Sequence, residues 1–151
     1  MSFCPYNSLD WHQLDEPLHA GMQRLVKDLN WLYRNEPALH QRDCDGAGFE
    51  WVKANSADES LYAFIRRGEP GSQPVIVICN FTPVVRHGYR VGVPEPGRYL
   101  ERLNSDAAIY GGSNCGNGGA LVAESQSWDG QPWSVTLTIP PLATLILSRE
   151  G

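Results

Sequence analysis

The feature that most constrains this chain is a change of hydrophobic period near Gly48. Before it, Leu18, Met22, Leu25, Leu29 and Leu32 recur at gaps of four and three, with Val26 and Tyr33 widening the stripe. That spacing predicts one amphipathic helix over Glu16 to Asn35. Asp15 or Glu16 can cap it, and Pro17 suits the first helical position, where a missing N–H costs nothing. Pro37 stops the helix or starts a short second turn through Leu39 and His40. After Gly48 the period falls to two, and short apolar runs alternate with turns. These runs are Phe49–Val52, Leu61–Ile65, Val75–Phe81, Tyr89–Val93, Arg98–Leu103, Ala120–Glu124, Ser134–Ile139 and Ala143–Ser148. Val75–Phe81 does not alternate, so it is expected to be a central strand covered on both faces. The polar segment Ala54–Glu59 is expected to join the first two strands as a hairpin. The predicted fold is mainly β, an antiparallel sandwich preceded by one long helix. Fifteen glycines and eleven prolines supply the turns such a fold needs.

Charge and cysteine content narrow the function classes. Twelve basic against seventeen acidic side chains leave a net charge of -5, which provides no excess of cations for a phosphate backbone; no nucleic-acid partner is expected. Residues 1–10 lack the basic and apolar regions of a secretory signal, and the longest strongly apolar run, Val75–Cys79, is too short to span a bilayer. Cys4, Cys44, Cys79 and Cys115 are scattered, with no ligand spacing for zinc. Cys79 reads as a small core residue. Neither metal nor cofactor is expected, and the reading is of a reduced, cytoplasmic protein without a membrane partner.

Catalytic motifs are weak throughout. The loop Gly111–Gly119 is glycine-rich but is followed by neither lysine nor helix, so it reads as a loop of special backbone angles rather than a phosphate cradle. Cys4 or Cys44 has no specified pairing with His12, His19, His40 or His87. Arg86-His87 reads as a solvated strand entry. The acids Asp10, Asp15, Asp43, Asp45, Asp58, Glu59, Asp106 and Glu124 sit mostly among turn residues, without the spacing that glycoside chemistry would require. Tryptophans are a better lead. Trp128 and Trp133 flank a tight turn at Asp129-Gly130, and an exposed indole can stack on the C–H face of a pyranose while polar neighbours bind its hydroxyls. Trp51 reads more simply as a core or edge-covering ring.

The landmarks also occur in a recognisable order. Tyr6-Asn7-Ser8-Leu9-Asp10-Trp11-His12 precedes Gln23-Arg24-Leu25-Val26-Lys27-Asp28-Leu29-Asn30, then Gly48-Phe49-Glu50-Trp51 and Asn80-Phe81-Thr82-Pro83. Leu103-Asn104-Ser105-Asp106, Gly112-Ser113-Asn114, Gly116-Asn117-Gly118-Gly119 and Pro140-Pro141-Leu142-Ala143-Thr144 complete the series. Over about residues 6 to 150 this resembles the C-terminal part of bacterial 1,4-α-glucan (glycogen) branching enzymes; Met1 to Pro5 have no match. The resemblance implies an α-amylase-type enzyme with a catalytic β/α barrel and an all-β C-terminal domain. Such an enzyme transfers an α-1,4-glucan segment to a 6-hydroxyl through a covalent glycosyl intermediate on an aspartate.

On that resemblance, residues 1–47 look like a barrel loop and the last barrel helix, and residues 48–151 like the C-terminal sandwich of a Greek-key type. Tyr6–His12 would then lie on the catalytic face, which makes Asp10 and Trp11 candidate substrate contacts beside Trp128 and Trp133. The family's catalytic acids lie on earlier barrel strands, so none is expected here and the chain alone should lack branching activity. The expected partners are the barrel and α-glucan (glycogen or a maltooligosaccharide). The bare helix Glu16 to Asn35 is expected either to self-associate or to collapse onto the sandwich. The alternatives are a stand-alone α-glucan-binding module and a purely structural domain.

Overall fold

A computed structural model describes residues 10–54 and 58–151. Residues 1–9, with Cys4 and most of the Tyr6–His12 motif, and residues 55–57 at the hairpin tip lie outside the described residues. Helix α1 spans Pro17–Asn35, with Glu16 at its N-cap and Pro37–Leu39 forming a 3-10 turn behind it, as the two prolines dictate. The Glu16 side chain makes no capping bond, and Pro17 occupies the first helical position. A 3-10 turn over Trp11–Asp15, which periodicity did not signal, leads into it.

Eight strands follow: β1 Phe49–Lys53, β2 Leu61–Arg66, β3 Val75–Asn80, β4 Arg86–Val93, β5 Arg98–Asn104, β6 Ala120–Val122, β7 Trp133–Ile139 and β8 Ala143–Arg149. One sheet has the order β1-β2-β3-β8-β5-β6, and the other pairs β4 with β7. Every pairing is antiparallel. The chain therefore crosses to the small sheet at β4 and again at β7, and β8 returns to lie between β3 and β5. Edge strand β1 carries a bulge between Trp51 and Lys53, and the opposite edge, β6, has only three residues.

The alternating residues explain the layers. Ile76 and Ile78 of β3 and Leu145 and Leu147 of β8 point towards the small sheet, where they meet Val91, Val93, Val135, Leu137 and Ile139 in the main core. Val75, Val77 and Ile146 point the other way, into a second cluster closed by Leu25 and Leu32 of α1 together with Ala38 and Leu39. β3 is thus covered on both faces, as its unbroken apolar run required. The molecule has three layers: α1, the large sheet and the small sheet.

Two close approaches fix α1 on the sheet. A side chain at Gly21 would lie 2.5 Å from the Tyr110 carbonyl oxygen, so only glycine lets the 105–112 loop touch the helix there. The Tyr110 hydroxyl donates to Asp28 at 2.7 Å. Burial, and then this bond, push the Tyr110 phenol up to about 12. The loop itself is wound around Asp106, whose carboxylate accepts from Ser113 N (2.9 Å), Ser113 Oγ (2.6 Å) and Cys115 N (3.0 Å). This accounts for the Gly/Asn-rich segment as a built loop.

Helix α1 nevertheless buries only Gly21 and Leu32 completely. The expected stripe is split: Leu25 and Leu32 turn to the sheet, whereas Leu18 (69%), Met22 (60%) and Leu29 (38%) stay exposed beside Val26 and Tyr33. The helix sits on the sandwich by one edge of its apolar face. At about 100° per residue, the sheet covers the Gly21–Leu32–Leu25 edge and leaves an arc of roughly 80° bare.

Candidate functional site

The turn that carries Trp128 is built from both directions. Asp129 (φ 50°) and Gly130 (φ 77°) take left-handed angles, and Trp128 and Gln131 exchange backbone bonds of 3.0 and 2.8 Å across them. This is the conformation that tight hairpin turns favour. Gln131 is buried, and its side-chain amide donates to Glu50 Oε1 at 2.6 Å. Below the turn, a Cβ at Gly92 would meet the Trp128 carbonyl oxygen at 2.2 Å, so the turn can lie flat on β4 only because residue 92 is glycine. The Trp128 ring, 43% exposed, is therefore held on a fixed backbone.

That ring borders an open groove of about 450 Å³ with Lys53, Glu59, His87, Gly88, Tyr89 and Arg90. Within it the Tyr89 hydroxyl donates to Glu59 at 2.6 Å, and Lys53 contacts both the Tyr89 oxygen and Glu59, the latter at 3.3 Å. Bonds from Tyr89 and Lys53 hold the Glu59 carboxyl below its ordinary range. Arg90 is oriented by Glu124 (2.8 Å) and Ser134 Oγ (2.9 Å). An indole platform beside oriented charged and hydroxyl groups is the chemistry that takes a sugar ring: an apolar face to stack and polar atoms to read the hydroxyls.

The other sequence candidates lie elsewhere. Trp133, opposite Val93 on β7, is half-buried and packs against the main core, so the two indoles of the turn face different environments. Asp10 and Trp11 stand at the 3-10 turn before α1, both exposed, Trp11 at 65%, and neither borders the Trp128 groove.

A second aromatic surface follows from register rather than from any motif. Trp51 pairs with Phe64 across β1 and β2. Phe49, Trp51, Tyr62 and Phe64, two apart on their own strands, therefore share one face, and Phe81 joins at the end of β3. Neighbouring ring centroids in this strip are 4.9–6.2 Å apart. Trp51 is 53% exposed on edge strand β1, so of the two environments its sequence context allowed it is an edge-covering ring and not a core one. The alternation of aromatics at 49/51 and 62/64 was the available signal; the missing information was which residues pair across the hairpin.

The carboxyls that pair with cations or hydroxyls are held in their charged form. The carboxyls that shift, Asp43, Glu50, Glu59, Asp106 and Glu124, all shift down, held by Arg66, Arg67, Tyr89, Ser113 and Arg90 among others. A general acid needs the opposite shift. No cluster of three or more His, Cys, Asp or Glu fit for a metal ion occurs among the described residues, and no described helix is long and apolar enough to cross a membrane.

Comparison with known proteins accords with this geometry. Residues 51–150 match the family model described as alpha amylase, C-terminal all-beta domain. The chain is 59% identical over 141 residues to a 1,4-alpha-glucan branching enzyme GlgB of Cereibacter sphaeroides, which covers 93% of the chain and 19% of that relative. It is 54% identical over 143 residues to a GlgB 1 of Xanthomonas euvesicatoria pv. vesicatoria (95% of the chain, 20% of the relative). It is also 57% identical over 138 residues to a GlgB of Burkholderia vietnamiensis (91% and 19%). The chain thus spans about a fifth of the length of the curated relatives it matches. With its antiparallel layers and the match over β1 to β8, the chain belongs to the alpha-amylase C-terminal all-beta domain family.

Proposed function

We propose that the chain works as the non-catalytic C-terminal domain of a 1,4-α-glucan branching enzyme. In this reading α1 and residues before about 47 belong with the catalytic barrel, and the sandwich from about 48 supports it. The observation that carries this reading is the apolar arc of α1 that the sandwich leaves bare, at Leu18, Met22 and Leu29. Burying such side chains is worth about 1.5–3 kcal/mol each, a strong reason for a neighbouring domain to cover them. In the isolated chain the same arc promotes association.

Two measurements test the reading. Amylose incubated with the chain alone keeps its iodine colour, and any authentic new α-1,6 linkage overturns the non-catalytic role. In the parent enzyme the pair Met22→Ser and Leu29→Ser lowers Tm, whereas in the isolated chain it changes stability by no more than about 1 kcal/mol and reduces light scattering. An unchanged parent Tm would remove the barrel from this face.

Glucan binding is the second reading, favoured by the fixed, exposed indole of Trp128. A maltooligosaccharide would stack there, with Asp10 and Trp11 as further contacts near the catalytic face and Trp133 in support behind the turn. Maltoheptaose should quench tryptophan fluorescence saturably in the chain and not in Trp128→Ala. A flat response at millimolar sugar would leave the supporting role alone.

A further inference from the structure

The side of α1 turned away from both the sheet and the bare apolar arc has its own pattern. Glu16, Ala20, Gln23, Lys27, Trp31 and Arg34 follow one another at gaps of four, three, four, four and three. At about 100° per residue they form one stripe, nearly opposite Leu18 and Leu29. Trp31 is 63% exposed on it. Most basic side chains elsewhere in this net-acidic chain are tied to carboxylates, as in Arg42–Glu69 and Arg67–Glu50, while Arg24 and Arg86 reach backbone carbonyls. Lys27 and Arg34 have no carboxylate partner among the described residues, and Glu16 at the other end of the same stripe has no cationic one. Concavities flank the stripe: one of about 350 Å³ lies beside Ala20, Arg24 and Lys27, and one of about 480 Å³ beside Trp31 and Arg34.

We infer that this stripe is a two-fold interface with a second copy of the same chain, the two α1 helices running antiparallel. The pattern is complementary to its own reverse. With the axis near residue 25, Glu16 meets the partner's Arg34, Gln23 meets the partner's Lys27, and Ala20 meets the partner's Trp31. Glu16 and Arg34 then each find an opposite charge, and Lys27 gains an amide oxygen as a hydrogen-bond acceptor. The bulky indole enters the notch beside the smallest residue of the stripe, against the cations of Arg24 and Lys27, an arrangement that favours ring stacking. Every contact occurs twice, as a two-fold interface requires. The Trp and Arg that flank its centre are residue types enriched among the contacts that carry binding energy in interfaces. The stripe lies away from the Leu18–Met22–Leu29 arc, so a domain covering that arc leaves it accessible, and the inference stands apart from the branching-enzyme reading.

The test uses the full chain carrying Met22→Ser and Leu29→Ser, which silences the apolar arc, followed by sedimentation equilibrium up to roughly 200 µM. The expected result is a dimer that Glu16→Arg, Arg34→Glu or Trp31→Ala each weakens by about tenfold or more. Glu16→Arg and Arg34→Glu chains mixed in equal amounts should associate as tightly as the starting protein, because each mixed pair restores both ion pairs. Circular dichroism checks that the exposed substitutions leave the fold intact. A monomer throughout the range overturns the interface. So does a dimer indifferent to the charge reversals, or a mixture no tighter than its components.

Discussion

The space between the two sheets and the surface of α1 solve the same problem to different degrees. Between the sheets, thirteen residues are buried, and both partners of every contact come from the sandwich itself. Helix α1, nineteen residues long, buries two. Between the sheets the strands complete their own hydrophobic burial, whereas the helix is finished on one edge only. On the function proposed above, that incompletely covered but strongly patterned helix is the surface that meets a neighbouring domain.

Ile78→Ala, between the sheets, bears on the contrast most heavily. It removes a fully buried side chain and should cost about 2–5 kcal/mol, visible as a fall of many degrees in Tm. A loss no larger than that of Leu29→Ala would erase the distinction between the two regions. Gly21→Ala should cost about 1–3 kcal/mol by driving a methyl into the Tyr110 carbonyl. Amide exchange should then quicken in α1 and in the 106–112 loop while β3 and β8 stay protected; uniform quickening would mean that helix and sandwich unfold as one unit.

Titration sharpens the contrast at both ends of the pH scale. The Glu50 carboxyl is held below its ordinary 4.5 by Arg67 and Gln131, against the burial that would raise it. A carboxyl depressed in the fold contributes stability above its unfolded value and loses it as pH falls below. Stability should therefore decline as pH drops through and below about 4.5, and less steeply in Glu50→Gln. Tyr99 runs the other way. Burial raises its phenol to about 12, so its contribution is complete below pH 10 and lost as pH rises from 10 towards 12. Tyr99→Phe should flatten the alkaline limb of a Tm profile. Leu29→Ala belongs at the bottom of the scale, within about 0.5 kcal/mol of the parent.

Much of this arrangement was legible before any coordinates. Pro17 and Pro37 bracket α1 because proline is tolerated only where the helical N–H has no acceptor. The unbroken apolar run at Val75 marked a strand covered on both faces. The destination of the helix was not legible, since Leu25 and Leu29 look alike in sequence and only packing decides which meets Val77. The Phe49–Trp51–Tyr62–Phe64 strip was hidden for a similar reason: each pair alternates properly, but their adjacency depends on cross-strand register, which a hairpin bulge can shift. The tight turn that carries Trp128 was legible because Asp-Gly is a local signal. Its groove was not, because Lys53, Glu59 and Tyr89 come from three distant segments.

The margins of the large sheet also limit how copies of this protein can meet. A bulged strand on one side and a three-residue strand on the other offer a newcomer no straight row of free amides and carbonyls. Growth by adding strands to the large sheet, the usual route to insoluble fibres, is therefore blocked at both rims, and β4 of the small sheet is broken by an irregularity between Arg86 and Tyr89. A crowded solution of the folded domain should remain clear of cross-β aggregates even where its helices find company.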